Sequence, residues 1–247
     1  MTNAPQSLSN IKGVLFDMDG TLLETESLGC NAVYYTLKDK MSREAEKSFK
    51  ERNYRMEWEL KQKTLGLPDR KWPPIVLEWA QQNWGVKNPP TVDEFLDKWD
   101  TNMFEHMYEV EACNGAKELV SKLADDGLPL AIATSSRFKA VQEKRKRHED
   151  MFQRFKTIVT GDDPAVTNGK PAPDIYLEAA RRIGVKPEQC VVFEDGMTGA
   201  KSGKAAGCFV IAVPDPRSTL AEKAKFEEVA DVVLDDLTQF FERIILT

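Results

Sequence analysis

Residues Val14–Leu22 read VLFDMDGTL: an apolar run that ends, with no spacer, on Asp17, Met18, Asp19, Gly20 and Thr21. The run begins at Ile11 (IKGVLF, Ile11–Phe16), is short and nearly all apolar, and so reads as a strand buried on both faces, the mark of a parallel sheet. Four further runs share that character: Leu128–Ala133 (LPLAIA), Thr157–Thr160 (TIVT), Cys190–Phe193 (CVVF) and Cys208–Val213 (CFVIAV). Asp231–Leu234 (DVVL) reads as an edge strand. Ala116–Asp125, Arg137–Arg147, Pro173–Ile183 and Gly199–Ala206 lie before or between these runs and carry helical periodicity or strong helix formers. Strand and helix alternate from about residue 110 onward, which predicts an α/β fold with a doubly wound parallel sheet.

The first connection breaks the alternation. About a hundred residues separate the first two strands, where a crossover ordinarily needs little more than a dozen. The stretch Ser27–Tyr108 has almost no strand signal and is rich in Glu, Lys, Met and Trp. Proline-bearing breaks fall at Leu67–Pro68, Trp72–Pro74 and Asn88–Pro90. An inserted subdomain of about four helices is expected. It holds all five tryptophans, Trp58, Trp72, Trp79, Trp84 and Trp99, which are expected to pack its small core.

Composition narrows the function classes. The chain has 247 residues, 41% of them hydrophobic and 30% charged, enough apolar material for a core. Lys and Arg total 34 against 40 Asp and Glu, a net charge of −6. That balance argues against nucleic acid or an anionic membrane as partner. The four cysteines, Cys30, Cys113, Cys190 and Cys208, form no CxxC and no zinc-spaced cluster, so reduced thiols are expected. No apolar run approaches the ~20 residues of a membrane helix. The opening MTNAPQSLSN lacks the basic-then-apolar pattern of a secretory signal. A soluble, cytoplasmic monomer is expected.

The acidic motif at the end of the first strand lies where open α/β sheets bind ligands, at the carboxyl edge. Asp17 and Asp19 are two residues apart, so both side chains can point the same way. Two such carboxylates repel unless a cation lies between them or one takes a proton. The pair therefore reads as a Mg²⁺ site or as an acid/base group beside a nucleophile. A calcium loop is excluded, because its fifth and twelfth positions would be Thr21 and Leu28. Three later features fall at other strand ends. Thr134, Ser135 and Ser136 follow LAIA, where hydroxyls and free N–H groups before a helix suit a phosphoryl group. Lys170, in GKPAPD, would hold a phosphate and offset the crowding of negative charge. Glu194 and Asp195 follow VVF and make a second acidic pair fit for a metal.

Taken in order, DMDGT, Thr134, Lys170 and EDG resemble the four motifs of the haloacid-dehalogenase-like superfamily of phosphohydrolases. GDDPAVTNGKPAPDIY, VVFEDGMTGAKSGKAAG and VIAVPDPR are similar to its pseudouridine-5′-phosphatase-like branch. The resemblance implies a core of residues 1–24 and 109–247 and a helical cap of the C1 type over residues 25–108. It implies a phosphatase of small phosphomonoesters, sugar-phosphate or nucleotide-like. Asp17 would be the nucleophile that takes the phosphoryl group, and Asp19 the general acid and then base. Asp17, the backbone carbonyl of Asp19, and Asp195 would hold Mg²⁺, with Glu194 nearby. Thr134, Ser135 and Lys170 would bind phosphoryl oxygens, and Arg137 would touch substrate. A phosphomutase using the same residues is the alternative, and a non-catalytic phosphate-binding module a further one. Within the cap, Arg52–Lys63 is the expected substrate-reading segment.

Overall fold

The computed structural model describes residues 6–64, 67 and 70–246. The first five residues of the N-terminal stretch, and Pro68 of the expected Leu67–Pro68 break, lie outside the described residues. Among the described residues eight strands form: β1 (Gln6–Leu8), β2 (Gly13–Phe16), β3 (Leu130–Ala133), β4 (Thr157–Val159), β5 (Cys190–Glu194), β6 (Phe209–Ala212), β7 (Val232–Val233) and β8 (Ile244–Leu246). Six of them make one all-parallel sheet in the order β4-β3-β2-β5-β6-β7. This is the doubly wound α/β fold, and each expected strand is present, trimmed by a residue or two except β5, which runs one residue further, to Glu194. The expected edge strand shrinks to Val232–Val233. Beyond expectation, β1 and β8 pair in parallel as a separate two-stranded sheet. Two three-residue segments more than two hundred positions apart carry no local signal that they pair.

The helices divide with the chain. One compact unit spans Thr25–Val110 and the other Met1–Glu24 with Glu111–Thr247. The second boundary falls two residues later than the motifs suggest, because Met107–Glu109 continues the preceding helix as a 3₁₀ turn. Among its described residues the helical unit has five α-helices where about four are expected: α1 (Glu26–Leu37), α2 (Arg43–Glu51), α3 (Trp58–Thr64), α4 (Trp72–Asn83) and α5 (Val92–His106). Ser42 caps α2, and Thr91 with Glu94 forms a capping box on α5. Its core gathers Val33, Leu37, Phe49, Leu60, Val76 and Phe95 around buried Trp84, with Trp72, Trp79 and Trp99 packed against them. Arg52 pairs with Glu57 at 2.8 Å, and Lys63 pairs with Glu59 at 2.8 Å and lies over the Trp79 ring. Those two cations of the expected substrate-reading segment are thus engaged within the helical unit itself.

In the α/β unit the helices are α6 (Ala116–Asp125), α7 (Phe138–Lys144), α8 (Glu149–Phe152), α9 (Asp174–Ile183), α10 (Met197–Ala205), α11 (Leu220–Glu227) and α12 (Phe240–Arg243). Alternate strand residues face opposite layers. Leu15, Ala131, Val192 and Val210 pack with Ile175, Ala179, Ala200 and Phe226 of α9, α10 and α11. On the other side Phe16 stacks on Phe193 at 4.8 Å between ring centres, and Phe193 meets Phe240 edge-on. Where the chain leaves and re-enters this unit, Glu24 N donates to Glu111 O at 2.9 Å and Cys113 N to Leu22 O at 2.9 Å. No disulfide joins any of the four cysteines. Among the described residues no helix is long and apolar enough to cross a membrane.

Candidate active site

Strand register brings the acidic and hydroxyl motifs together. Phe16 of β2 lies opposite Ile132 of β3 and Phe193 of β5. The next residues along, Asp17 and Glu194, therefore leave neighbouring strand ends, and Thr134 leaves the third. This is the point where the sheet order reverses, the usual ligand crevice of an open α/β sheet. There a cavity of ≈240 Å³ is lined by Asp17, Asp19, Thr134, Ser135, Lys170, Glu194, Asp195, Thr198 and Gly199.

Lys170 is the hub. Its side chain is 7% exposed, and Nζ donates to Asp17 Oδ1 at 2.5 Å, Glu194 Oε1 at 2.6 Å and the Ala133 carbonyl at 3.0 Å. Those three acceptors use all three ammonium protons. Tyr176 of α9 donates to Glu194 Oε1 at 2.5 Å from beneath. Burial opposes the lysine's charge, yet Asp17 and Glu194 outweigh it and hold Lys170 above the ordinary lysine range. Burial also pushes Asp17 well above the usual carboxylate range. Lys170 pulls it down, while Glu194, Asp195 and Asp19 push it further up. Asp195 is pushed up to about 7, by burial first and then by the Glu194 carboxylate. These carboxylates are too crowded to ionise together without another cation.

Asp17, Glu194 and Asp195 place one carboxylate oxygen each within 4.8 Å of one another, the one such group among the described residues. Two glycines make the close approach possible. Gly20 has φ +87°, and a Cβ there would lie 2.1 Å from Asp195 Oδ2. A Cβ on Gly199 of α10 would lie 1.8 Å from Glu194 Oε1.

The side chain of Asp19 does not join that acidic group. Instead Oδ1 accepts from Lys144 Nζ at 2.6 Å, and Oδ2 accepts from Ser136 Oγ at 2.6 Å and Thr134 Oγ1 at 3.3 Å. Thr134 is fully buried, and its hydroxyl also accepts the Ser136 N–H at 3.0 Å. Ser135 is exposed to the cavity. Arg137, the residue capping α7, is exposed and is not among the residues lining the cavity. Its backbone is extended at φ −73°, ψ 153°, and α7 starts only at the next residue.

Sequence reasoning missed Lys144, Ser136 as an Asp19 partner, Tyr176, and the cavity-lining pair Thr198 and Gly199. Lys144 sits in the basic run Lys144–Arg147, which reads as a solvated helix face. The available signal was its place three residues after Val141 and four before His148, on the buried stripe of the segment.

Comparison with known proteins agrees with this geometry. Residues 11–207 match the family model of haloacid dehalogenase-like hydrolases. (DL)-glycerol-3-phosphatase 2 of Arabidopsis thaliana is 32% identical over 235 residues, covering 94% of this chain and 89% of that protein. A probable pseudouridine-5′-phosphatase of Saccharomyces cerevisiae is 34% identical over 224 residues, covering 84% of each. The crystal structure of a putative β-phosphoglucomutase from Thermotoga maritima superposes with a TM-score of 0.71 at 27% identity, covering 94% of this chain and 99% of that one.

Proposed function

The chain belongs to the haloacid dehalogenase-like hydrolase family and is a phosphatase of small phosphorylated substrates, and on that premise we propose that it uses Mg²⁺ and a phosphoryl-enzyme formed on Asp17. The supporting observation is the convergence of Asp17, Lys170, Glu194 and Asp195 on one cavity, with Asp19 two residues further on.

The residues present fit a hard divalent cation. Asp17, Glu194 and Asp195 offer oxygen only, the donor that Mg²⁺ takes. Counting Asp19, four carboxylates meet two ammonium groups, Lys170 and Lys144. The two uncompensated negative charges match one divalent ion. Asp17, Asp195, the Asp19 backbone carbonyl and nearby Glu194 would hold Mg²⁺, which would supply charge neutralisation for the reacting phosphoryl group.

In the first step a carboxylate oxygen of Asp17 attacks phosphorus, the ester bond breaks, and Asp19 gives the leaving oxygen a proton. In the second, Asp19 takes a proton from the water that attacks the acyl phosphate. Inorganic phosphate leaves and Asp17 is regenerated. The Ser135 N–H holds a phosphoryl oxygen, and Thr134, whose hydroxyl proton is directed at Asp19 Oδ2, lines the cavity beside it. Lys170 acts chiefly as a fixed charge, because its protons are already directed at protein acceptors. Phosphoryl transfer needs little beyond such positioning and neutralisation.

The substrate class is a phosphomonoester of a polyol, sugar or nucleoside, in keeping with the names of the relatives. The test is phosphate release from p-nitrophenyl phosphate and from a panel of phosphomonoesters, with Mg²⁺ and after chelation. The reading requires release with Mg²⁺ and its loss in EDTA. Full activity after exhaustive chelation contradicts it. Transfer to a second substrate hydroxyl without phosphate release contradicts hydrolysis.

A further inference from the structure

Four consecutive cations, Lys144, Arg145, Lys146 and Arg147, close α7 and the turn after it. Arg145 pairs with Glu149, Lys146 with Glu143 and Arg147 with Glu111, each at the surface or close to it. Lys144 alone turns inward and is 6% exposed, on the same helix face as fully buried Val141. A buried ammonium is costly unless its charge is paired and its protons are accepted. Here Nζ meets Asp19 Oδ1 at 2.6 Å and Ser136 Oγ at 3.0 Å, while Ser136 Oγ reaches Asp19 Oδ2 at 2.6 Å. Lys144, Ser136 and Asp19 thus close a ring of hydrogen bonds, to which Thr134 Oγ1 adds a fourth at 3.3 Å.

A carboxylate has about four acceptor positions, and three donors from α7 and the β3–α7 turn fill three of them on Asp19. Two lie on Oδ2 and one on Oδ1. The open position is on Oδ1, and the plane of the carboxylate is fixed. We infer that Lys144 is the positioning residue for Asp19: with Ser136 it holds the carboxylate so that Oδ1 carries the proton in both half-reactions. The inference rests on the acid/base role given to Asp19 above and adds a residue that supports it. Lys144 is not among the residues lining the cavity, whereas Asp19 is, so it acts through Asp19.

The test uses two esters of similar shape and different leaving-group basicity, phenyl phosphate and p-nitrophenyl phosphate, with Mg²⁺. Single-turnover release of phenol or nitrophenol reads the first step. Losing the alignment of a catalytic group costs on the order of 10²-fold. Lys144→Met should lower the phenyl phosphate rate by about that factor and the p-nitrophenyl phosphate rate several-fold less. KM for both should stay within about threefold, since binding is not the interaction removed. Lys144→Arg should restore part of the phenyl phosphate rate, because it returns a donor and a charge. Ser136→Ala keeps the lysine and should show the same leaving-group split in weaker form, so the inference stays testable if Lys144→Met fails to fold. Equal losses for both esters, or no rescue by arginine in a folded protein, overturn it. Asp19→Asn is the control. If that variant shows the split and the Lys144 and Ser136 variants do not, the positioning inference fails and the acid/base reading stands. If Asp19→Asn itself keeps the parental phenyl phosphate rate, the acid/base reading fails and the inference falls with it.

Discussion

Lys170→Met removes the one cation shared by two buried carboxylates while keeping the bulk of the side chain. Asp17 is 6% and Glu194 2% exposed, and both lie within 2.6 Å of Nζ. Removing one partner of a buried, hydrogen-bonded ion pair costs about 3–5 kcal/mol, because the remaining charge is left unpaired. At roughly 2–4 °C per kcal/mol for a unit of this size, the expected fall in melting temperature is about 6–20 °C. The deficit must depend on pH, and the sign is fixed. Burial already raises Asp17 above its unfolded value, and loss of Lys170 raises it further. A carboxyl raised on folding favours the protonated fold, and that advantage disappears as pH rises through the raised value. The variant should therefore unfold much earlier than the parent near pH 8 in EDTA and come closer to it near pH 5. Saturating Mg²⁺ should recover part of the loss, about 2.7 kcal/mol at a hundredfold excess over Kd. Thermal unfolding at both pH values, with and without Mg²⁺, measures all of this. A variant within about 1 kcal/mol of the parent near pH 8 in EDTA would refute the reasoning; so would a deficit that ignores pH.

Asp195, raised to about 7 by burial and then by Glu194, must be deprotonated to bind a cation. The rise in melting temperature on adding Mg²⁺ should therefore be larger near pH 8 than near pH 5.5, and equal shifts would contradict the metal site. Gly199→Ala would stabilise an unobstructed helix by about 0.5–1 kcal/mol. Here the new Cβ meets Glu194 at 1.8 Å, so denaturant unfolding should show a loss of roughly 1–3 kcal/mol and titration a weaker Mg²⁺ affinity. Phe16→Ala removes a fully buried ring that stacks on Phe193 and meets Phe155 edge-on and should cost about 3–5 kcal/mol by the same unfolding measurement.

The parallel sheet was legible because each strand is a short apolar run with nothing polar to place elsewhere, so period and length suffice. Asp17, Thr134, Glu194 and Asp195 were legible for the same reason: each lies at the end of such a run, and the parallel register Phe16–Ile132 and Phe16–Phe193 carries them to one edge. Lys170 follows no strand. It became visible only through its motif, and its position between Asp17 and Glu194 depends on a loop path that no periodicity encodes. Lys144 was hidden by its neighbours, since three cations in succession at or close to the surface mask the one that turns inward. The pairing of Gln6–Leu8 with Ile244–Leu246 joins the two ends of the chain, and nothing local in either segment specifies its partner. The fifth helix of the insert was lost among Pro-bearing breaks, because Pro73 and Pro74 sit in the first turn of α4, where proline starts a helix rather than ending one.

The central claim is that Asp17 carries the phosphoryl group and Asp19 moves the protons. It is tested most directly by acid-quench mass spectrometry of Asp19→Asn mixed with p-nitrophenyl phosphate and Mg²⁺. The nitrophenolate leaving group needs little protonation, so the first step should proceed. The second lacks its base, a contribution typically worth about 10²–10⁴-fold, so a phosphoryl-enzyme should accumulate with one phosphate on Asp17. The double variant Asp17→Asn, Asp19→Asn should take none. Phosphate on Thr134, Ser135 or Ser136, or labelling that persists without the Asp17 carboxylate, would contradict the account.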